Sequence, residues 1–410
     1  MDLVTRRKFL LASGVVGGTA LAAGAGAFTL GELMETTAWK RIGGPRTLVL
    51  ITLYGGNDGL ATVIPYGDKA YPAARGELAY TGEQVLRLDD RMGLNPKLAN
   101  FKKQFDAGRL AIVRNVGYPK PDRSHFRSMD IWQTGQPARP GNSGCLGRWL
   151  DTVKDGDPRL AVTFERVLPP VLAGTTRAGA AISTAGMTLP AGYQPSLLSA
   201  LGAAVEGEPP MQARAARAFA DLVTVDQMVK DLPAEKDDPD DEPAATATGG
   251  RDGLAAQLEV IARCVEAGVA TKVFSASLGG FDLHADGRSA QESVLKDLDG
   301  AVGGFVDRMS KSARGQDVVV AIYSEFGRRV RANASDGTDH GTASDMFLLG
   351  SPVRGGQYGE PPNLTDLDDG DLKFTTDFRD VYGTLLAGVL ETEPARVLDG
   401  WTGTMPRLLR

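Results

Sequence analysis

From Thr47 onward the chain repeats one pattern: a short, mainly apolar run, a polar exit that is often glycine-rich, then a longer helix-like stretch. The runs are Thr47–Leu53, Leu110–Val116, Leu160–Phe164, Val273–Leu278, Val318–Tyr323 and Met346–Gly350. These read as strands, and the continuous apolar run at Thr47–Leu53 predicts one buried on both faces. The stretches Pro96–Gly108, Leu254–Ala267 and Ser289–Lys311 predict helices between them. Strand, helix, strand repetition predicts an α/β fold: a doubly wound, mainly parallel sheet with helices on both faces. Ligands of such sheets bind at the carboxyl ends of the strands. The exits are therefore where chemistry is sought, beginning with Tyr54-Gly55-Gly56-Asn57-Asp58-Gly59. Asn57 and Asp58 read there either as site residues or as turn formers and caps.

Two stretches break the rhythm. Thr5-Arg6-Arg7-Lys8-Phe9-Leu10 precedes an apolar segment, Leu11–Phe28, that ends in small residues at Ala25-Gly26-Ala27. This is the layout of a twin-arginine export signal. The alternative is a membrane anchor, for which the Gly- and Ala-rich segment is marginal against a core of roughly 30 Å. The expectation is a signal over residues 1–31 and one mature domain over 32–410. That domain would keep no stable membrane span, have the twin-arginine translocase as its export partner, and work in the periplasm, at the cell wall or outside the cell. No Cys follows the apolar segment, so a lipoprotein anchor is not expected. The second break, Glu235–Asp252, carries Asp237-Asp238-Pro239-Asp240-Asp241-Glu242 and reads as a disordered acidic loop. It lacks the regular oxygen-ligand spacing of a calcium loop.

Composition narrows the class. The chain has 410 residues, 42% of them hydrophobic, and a net charge of -6, which argues against nucleic-acid binding. Two cysteines, Cys145 and Cys264, make no disulfide framework and read as structural.

Only three histidines are present, and each lies in a polar cluster past a strand or in a glycine-rich loop. His125 stands in Arg123-Ser124-His125-Phe126. His284 stands in Gly279-Gly280-Phe281-Asp282-Leu283-His284, and His340 in Asp339-His340-Gly341. Imidazoles and carboxylates gathered at the carboxyl edge of a sheet are what a divalent metal needs; the alternative is three hydrogen-bonded loop histidines. On an extended segment Asp282 and His284 point the same way, so both can reach one ion. Glu325, in Ser324-Glu325-Phe326-Gly327-Arg328, reads as a ligand or base, or else as an ion-pair partner. Arg328 reads as a bidentate holder of an anion. Ser124 reads as a nucleophile at the start of a helix, where the dipole favours an anion, or as a plain N-cap.

Taken together, these motifs resemble the bacterial family known as domain of unknown function 1501, whose members carry twin-arginine signals and are placed in the alkaline-phosphatase-like superfamily. The resemblance rests on Leu53–Leu60, Asn115–Pro119, Arg123–Phe126, Gly279–His284, Ser324–Arg328, Asp339–Gly341 and Thr376–Tyr382. It implies an alkaline-phosphatase-like fold and a hydrolase of phosphate or sulfate esters using zinc or manganese and no nucleotide cofactor. The substrate would be an anionic small molecule or polymer. It also implies Asp58, Asp282, His284 and His340 as metal ligands and Ser124 as the candidate nucleophile; His125, Glu325 and Arg328 are expected beside them in catalysis, with His125 and Glu325 at the rim. The chain departs from the superfamily at Glu325-Phe326-Gly327, where an Asp-His-Gly ligand pair is usual, and Phe cannot bind metal. A non-catalytic exported binding or assembly protein is the alternative.

Replacing Arg6 and Arg7 together by Lys is expected to leave the precursor in the cytoplasm, measured by fractionation. Export of the double variant at the normal level contradicts the signal assignment.

Overall fold

The computed structural model describes residues 44–182, except positions 140, 155 and 166, and residues 253–410, together with Gly26–Ala27 and Leu33. Most of the export-signal stretch and the acidic loop at 235–252 lie outside the described residues.

A ten-stranded sheet forms the middle layer. Its strands are β1 (Gly26–Ala27), β2 (Thr47–Leu53), β3 (Leu110–Gly117), β4 (Ala161–Thr163), β5 (Ala180–Ala181), β6 (Val273–Leu278), β7 (Val318–Ser324), β8 (Ser344–Leu349), β9 (Gly356–Tyr358) and β10 (Thr376–Asp377). Their order is β1-β5-β4-β6-β2-β7-β8-β3-β9, with β10 also pairing with β3. Every pairing is parallel except those of β8, which runs antiparallel to both β7 and β3. The helices are α1 (Gly59–Thr62), α2 (Tyr71–Arg75), α3 (Ala99–Asp106), α4 (His125–Thr134), α5 (Cys145–Thr152), α6 (Gly253–Ala267), α7 (Gly287–Lys311) and α8 (Phe378–Gly388).

Alternate residues of one strand feed two separate cores. Val49, Ile51 and Leu53 of β2 pack with Phe101 of α3, Ile261 of α6 and Leu298 of α7. Leu48 and Leu50 pack on the other side with Trp132 of α4, Trp149 of α5 and Phe378 of α8. Helices cover both faces, which is why β2 reads as a continuous apolar run.

Register places the site. Leu53 lies level with Leu278 of β6 and with Ser324 of β7, so three strands finish side by side. Their exits, beginning at Tyr54, Gly279 and Glu325, leave at one edge. The chain from Glu325 stays at that edge, and β8 starts there, so the loop carrying His340 needs no crossover. The approach is close: Gly55 has φ +113°, and a Cβ there would lie 2.5 Å from the Asp282 backbone nitrogen, which only glycine tolerates. No helix among the described residues is long and apolar enough to cross a membrane.

Candidate metal centre

All three histidines meet at this edge, around Asp282. His284 Nε2 lies 2.9 Å and His340 Nε2 3.1 Å from Asp282 Oδ1, while His125 Nε2 lies 3.4 Å from Oδ2. His284 Nε2 and His340 Nε2 are 3.1 Å apart. His125, Asp282 and His340 each offer one ligand atom, all within 4.8 Å of one another.

Each imidazole turns its other nitrogen outward. His125 Nδ1 meets Glu325 Oε1 at 2.8 Å. His340 Nδ1 meets the Arg123 carbonyl at 2.9 Å. His284 Nδ1 faces Asp339 Oδ1 at 3.6 Å. A carbonyl oxygen only accepts, so His340 carries its proton on Nδ1. Its neutral form therefore aims a lone pair from Nε2 at a carboxylate oxygen, an arrangement that only a proton or a cation makes favourable. His125 Nε2 is buried with no hydrogen-bond partner. Metal-bound histidines are held in this way, with Nδ1–H on an outer acceptor. Ligands about 2.0–2.1 Å from one tetrahedral ion stand roughly 3.3–3.4 Å apart, the spacing of His125 Nε2 and Asp282 Oδ2, and the shorter contacts of His284 and His340 need open by only a few tenths of an ångström. These residues suit a divalent ion.

The supports are built from the fold. Glu325 is 1% exposed. Its Oε1 also accepts the Gly55 amide at 2.8 Å, and its Oε2 accepts the Ser324 hydroxyl at 2.9 Å. Glu325 is thus a brace for His125. Phe326, where a ligand is expected from the resemblance, packs its ring 4.9 Å from both the His125 and His340 rings.

Arg328 has a different occupation from the expected anion clamp. Its side chain is 1% exposed. It donates to the carbonyls of Gly56 (2.8 Å), Thr338 (2.9 Å), Phe281 (3.0 Å) and Gly55, and to Asp282 Oδ1 (2.7 Å). Those bonds occupy the fork, and its job is to hold Asp282. Burial opposes ionisation of Asp282, but the Arg328 guanidinium outweighs it and holds the carboxyl down to about 2.

Asp58 does not join the cluster. Arg75 takes its carboxylate in two bonds, of 2.7 and 2.6 Å, and Asp58 Oδ1 also caps α1 by accepting the Ala61 amide at 3.2 Å. Asn57 likewise serves packing, accepting from Thr62 and Gln291. Ser124 is exposed at the N-cap position of α4, yet its side chain makes no cap bond. His125, expected among the catalytic groups at the rim, stands inside. Sequence reasoning missed the Arg123 carbonyl, which no side-chain pattern reveals, and Asp339, which adjoins His340 in sequence. Cys145 and Cys264 are both buried and free.

The family model for Protein of unknown function (DUF1501) matches residues 111–389. The chain belongs to this family. Of the motifs quoted above, only Leu53–Leu60 falls before the match. No curated protein matches the chain. Among solved structures, the chain is similar to a protein in the alkaline phosphatase superfamily from Vibrio parahaemolyticus, at 9% identity over 88% of this chain and 74% of that one, with TM-score 0.35. It is similar to the lipoteichoic acid synthase LtaP from Listeria monocytogenes, at 11% identity over 93% and 81%, with TM-score 0.35. It is also similar to the C-terminal periplasmic domain of EcEptC from Escherichia coli in complex with Zn, at 9% identity over 76% and 74%, with TM-score 0.30. Likeness at these scores is coarse and says nothing of chemistry.

Two outcomes follow from this geometry. Replacing Asp58 by Ala strands the Arg75 guanidinium, 1% exposed, and is expected to cost about 3–5 kcal/mol in denaturant unfolding while the folded protein keeps its metal content. Loss of metal with little loss of stability would make Asp58 a ligand instead.

The second outcome concerns pH. The Glu325 hydrogen bond raises the His125 pKa, against burial. In metal-free protein the pair's stabilisation is fully present below about pH 6.5 and is lost as pH rises through the raised value. Metal needs the neutral ring, so metal loading has the opposite sign and weakens as pH falls. Glu325→Gln is therefore expected to lower the melting temperature of metal-free protein more at about pH 5.5 than at about pH 9. An equal loss at both contradicts this account.

Proposed function

We propose that the protein is an exported, metal-assisted hydrolase acting on a phosphate or sulfate ester at the His125–Asp282–His284–His340 centre. The observation that carries this reading is the common orientation of the three imidazoles: every Nε2 turns inward to one carboxylate and every Nδ1 outward to an oxygen. Zinc or manganese suits a set that mixes imidazole with carboxylate. The ion would supply Lewis acidity and a positive partner for an ester oxyanion.

The chain's own residues do the rest. Glu325 and the Arg123 carbonyl keep the protons of His125 and His340 on Nδ1, leaving Nε2 free to ligate. Arg328 keeps Asp282 ionised and in place. Helix α4 opens at His125, so its first-turn amides and the positive end of its dipole lie beside the cluster and favour an anion. Ser124, exposed and free of a cap bond, is the proposed nucleophile. Export through the twin-arginine translocase is proposed from Arg6 and Arg7, with activity in the periplasm, at the cell wall or outside the cell.

One observation favours a second reading, a non-catalytic exported binding or assembly protein. Beside His125, Asp282 and His340, whose ligand atoms all lie within 4.8 Å of one another, His284 offers a fourth donor, and four protein ligands would fill a tetrahedral ion as in structural sites, whereas catalytic sites keep a position open.

Elemental analysis of the purified protein, paired with turnover of an aryl phosphate and an aryl sulfate, tests the proposal. Stoichiometric metal is expected, with turnover that His340→Ala abolishes and Ser124→Ala lowers by about two orders of magnitude or more. Folded protein with neither metal nor turnover contradicts it. Metal without turnover favours the second reading.

A further inference from the structure

The three imidazoles are not held equally. His125 is anchored through Nδ1 to Glu325 at 2.8 Å, and Glu325 is itself 1% exposed. The His125 backbone begins helix α4. His340 is anchored through Nδ1 to a backbone carbonyl at 2.9 Å. Its ring packs 4.4 Å from that of His125 and 4.9 Å from that of Phe326, and its backbone bridges to Arg328. His284 is held less: its ring packs on His340 alone among the described rings, 4.9 Å away. Its Nδ1 lies 3.6 Å from Asp339 Oδ1, beyond hydrogen-bond distance, and the Asp339 side chain is 58% exposed. The His284 side chain is 47% exposed, against 32% for His125 and 24% for His340. It belongs to neither a helix nor a strand.

The His284 backbone, by contrast, is fixed. Its carbonyl accepts Asn333 Nδ2 at 3.0 Å, and the neighbouring Leu283 carbonyl accepts the Thr338 amide at 3.2 Å. Gly337 packs so closely on the His284 backbone that a Cβ there would collide with it. A fixed backbone with a loose, exposed side chain moves by a rotamer change and needs no loop opening.

We infer that His284 is an exchangeable fourth ligand. With a divalent ion held by His125, Asp282 and His340, whose ligand atoms lie within 4.8 Å of one another, the loosely held His284 ring would be the one to give way to a tetrahedral oxyanion. This rests on the metal reading above. It accounts for four ligands in a site that catalysis requires to open.

The test uses the whole protein loaded with zinc. Outer partners of metal ligands are alone worth about 10–100-fold in affinity. Accordingly, His125→Ala and His340→Ala are expected to weaken zinc binding by more than ~100-fold, and His284→Ala by less than ~10-fold. In wild-type protein, inorganic phosphate is expected to move the ring nitrogen NMR signals of His284 to the positions of an unligated imidazole, leaving those of His125 and His340 in place. That titration needs no variant, so it holds even if His340→Ala misfolds. An equal loss of affinity in all three variants, or a His284 ring that phosphate leaves unmoved in zinc-loaded protein, overturns the inference and leaves the metal centre standing. Failure of the wild-type protein to bind zinc, manganese or iron overturns the metal reading and this inference together.

Discussion

Arg328 sets a full positive charge, with only 1% of its side chain exposed, among the carbonyls of Gly55, Gly56, Phe281 and Thr338 and the carboxylate of Asp282. A buried guanidinium is costly unless its donors are satisfied. The loops after β2 and β6 and the loop before β8 therefore cannot separate without stranding that charge. The same contact holds the Asp282 carboxyl down to about 2, so Asp282 is a fixed negative charge at any ordinary pH. That charge is what three imidazoles can gather around. The parallel register of β2, β6 and β7 delivers the loops to one place, and Arg328 locks them there.

Around that charge the chain builds two layers. The inner layer is three Nε2 atoms and one carboxylate. The outer layer is Glu325, the Arg123 carbonyl and Asp339, graded from a buried brace to an exposed, distant one. A proton and a metal ion compete for the same inner atoms, so pH and metal act on this centre in opposite directions. On the metal reading proposed above, the grading of the outer layer would leave His284 as the ligand free to leave a cluster that otherwise resembles a closed structural site.

Much of this is legible in the sequence, for physical reasons that also mark where legibility stops. A strand covered on both faces is mostly apolar, so β2 and β7 stand out as near-continuous runs, β3 and β6 stay recognisable despite Arg114, Asn115, Ser275 and Ser277, and the carboxyl ends of β2, β6 and β7 point to the site. The convergence of Asp282, His284 and His340 follows from that edge alone. The antiparallel direction of β8 does not, because an apolar run carries no direction. Helix α2 is five residues long and holds Arg75, so nothing announced the partner that takes Asp58 out of the cluster. Glu325 and Arg328 stand at that edge, but their partners are hidden from the sequence, since Glu325 spends its oxygens on neighbours and Arg328 spends most of its donors on backbone carbonyls. His125 moved from rim to centre because its Nδ1 brace sits 200 residues away. The pairing of Gly26–Ala27 with β5 is likewise invisible in a stretch that composition marks as a signal.

The most direct measurement is anomalous X-ray scattering, at the absorption edge of the metal found by elemental analysis, from crystals of the protein. This account predicts one peak within about 2.0–2.2 Å of Nε2 of His125, Nε2 of His340 and a carboxylate oxygen of Asp282. A peak at Asp58, or no peak while the three imidazoles are hydrogen-bonded to Asp282, would contradict it.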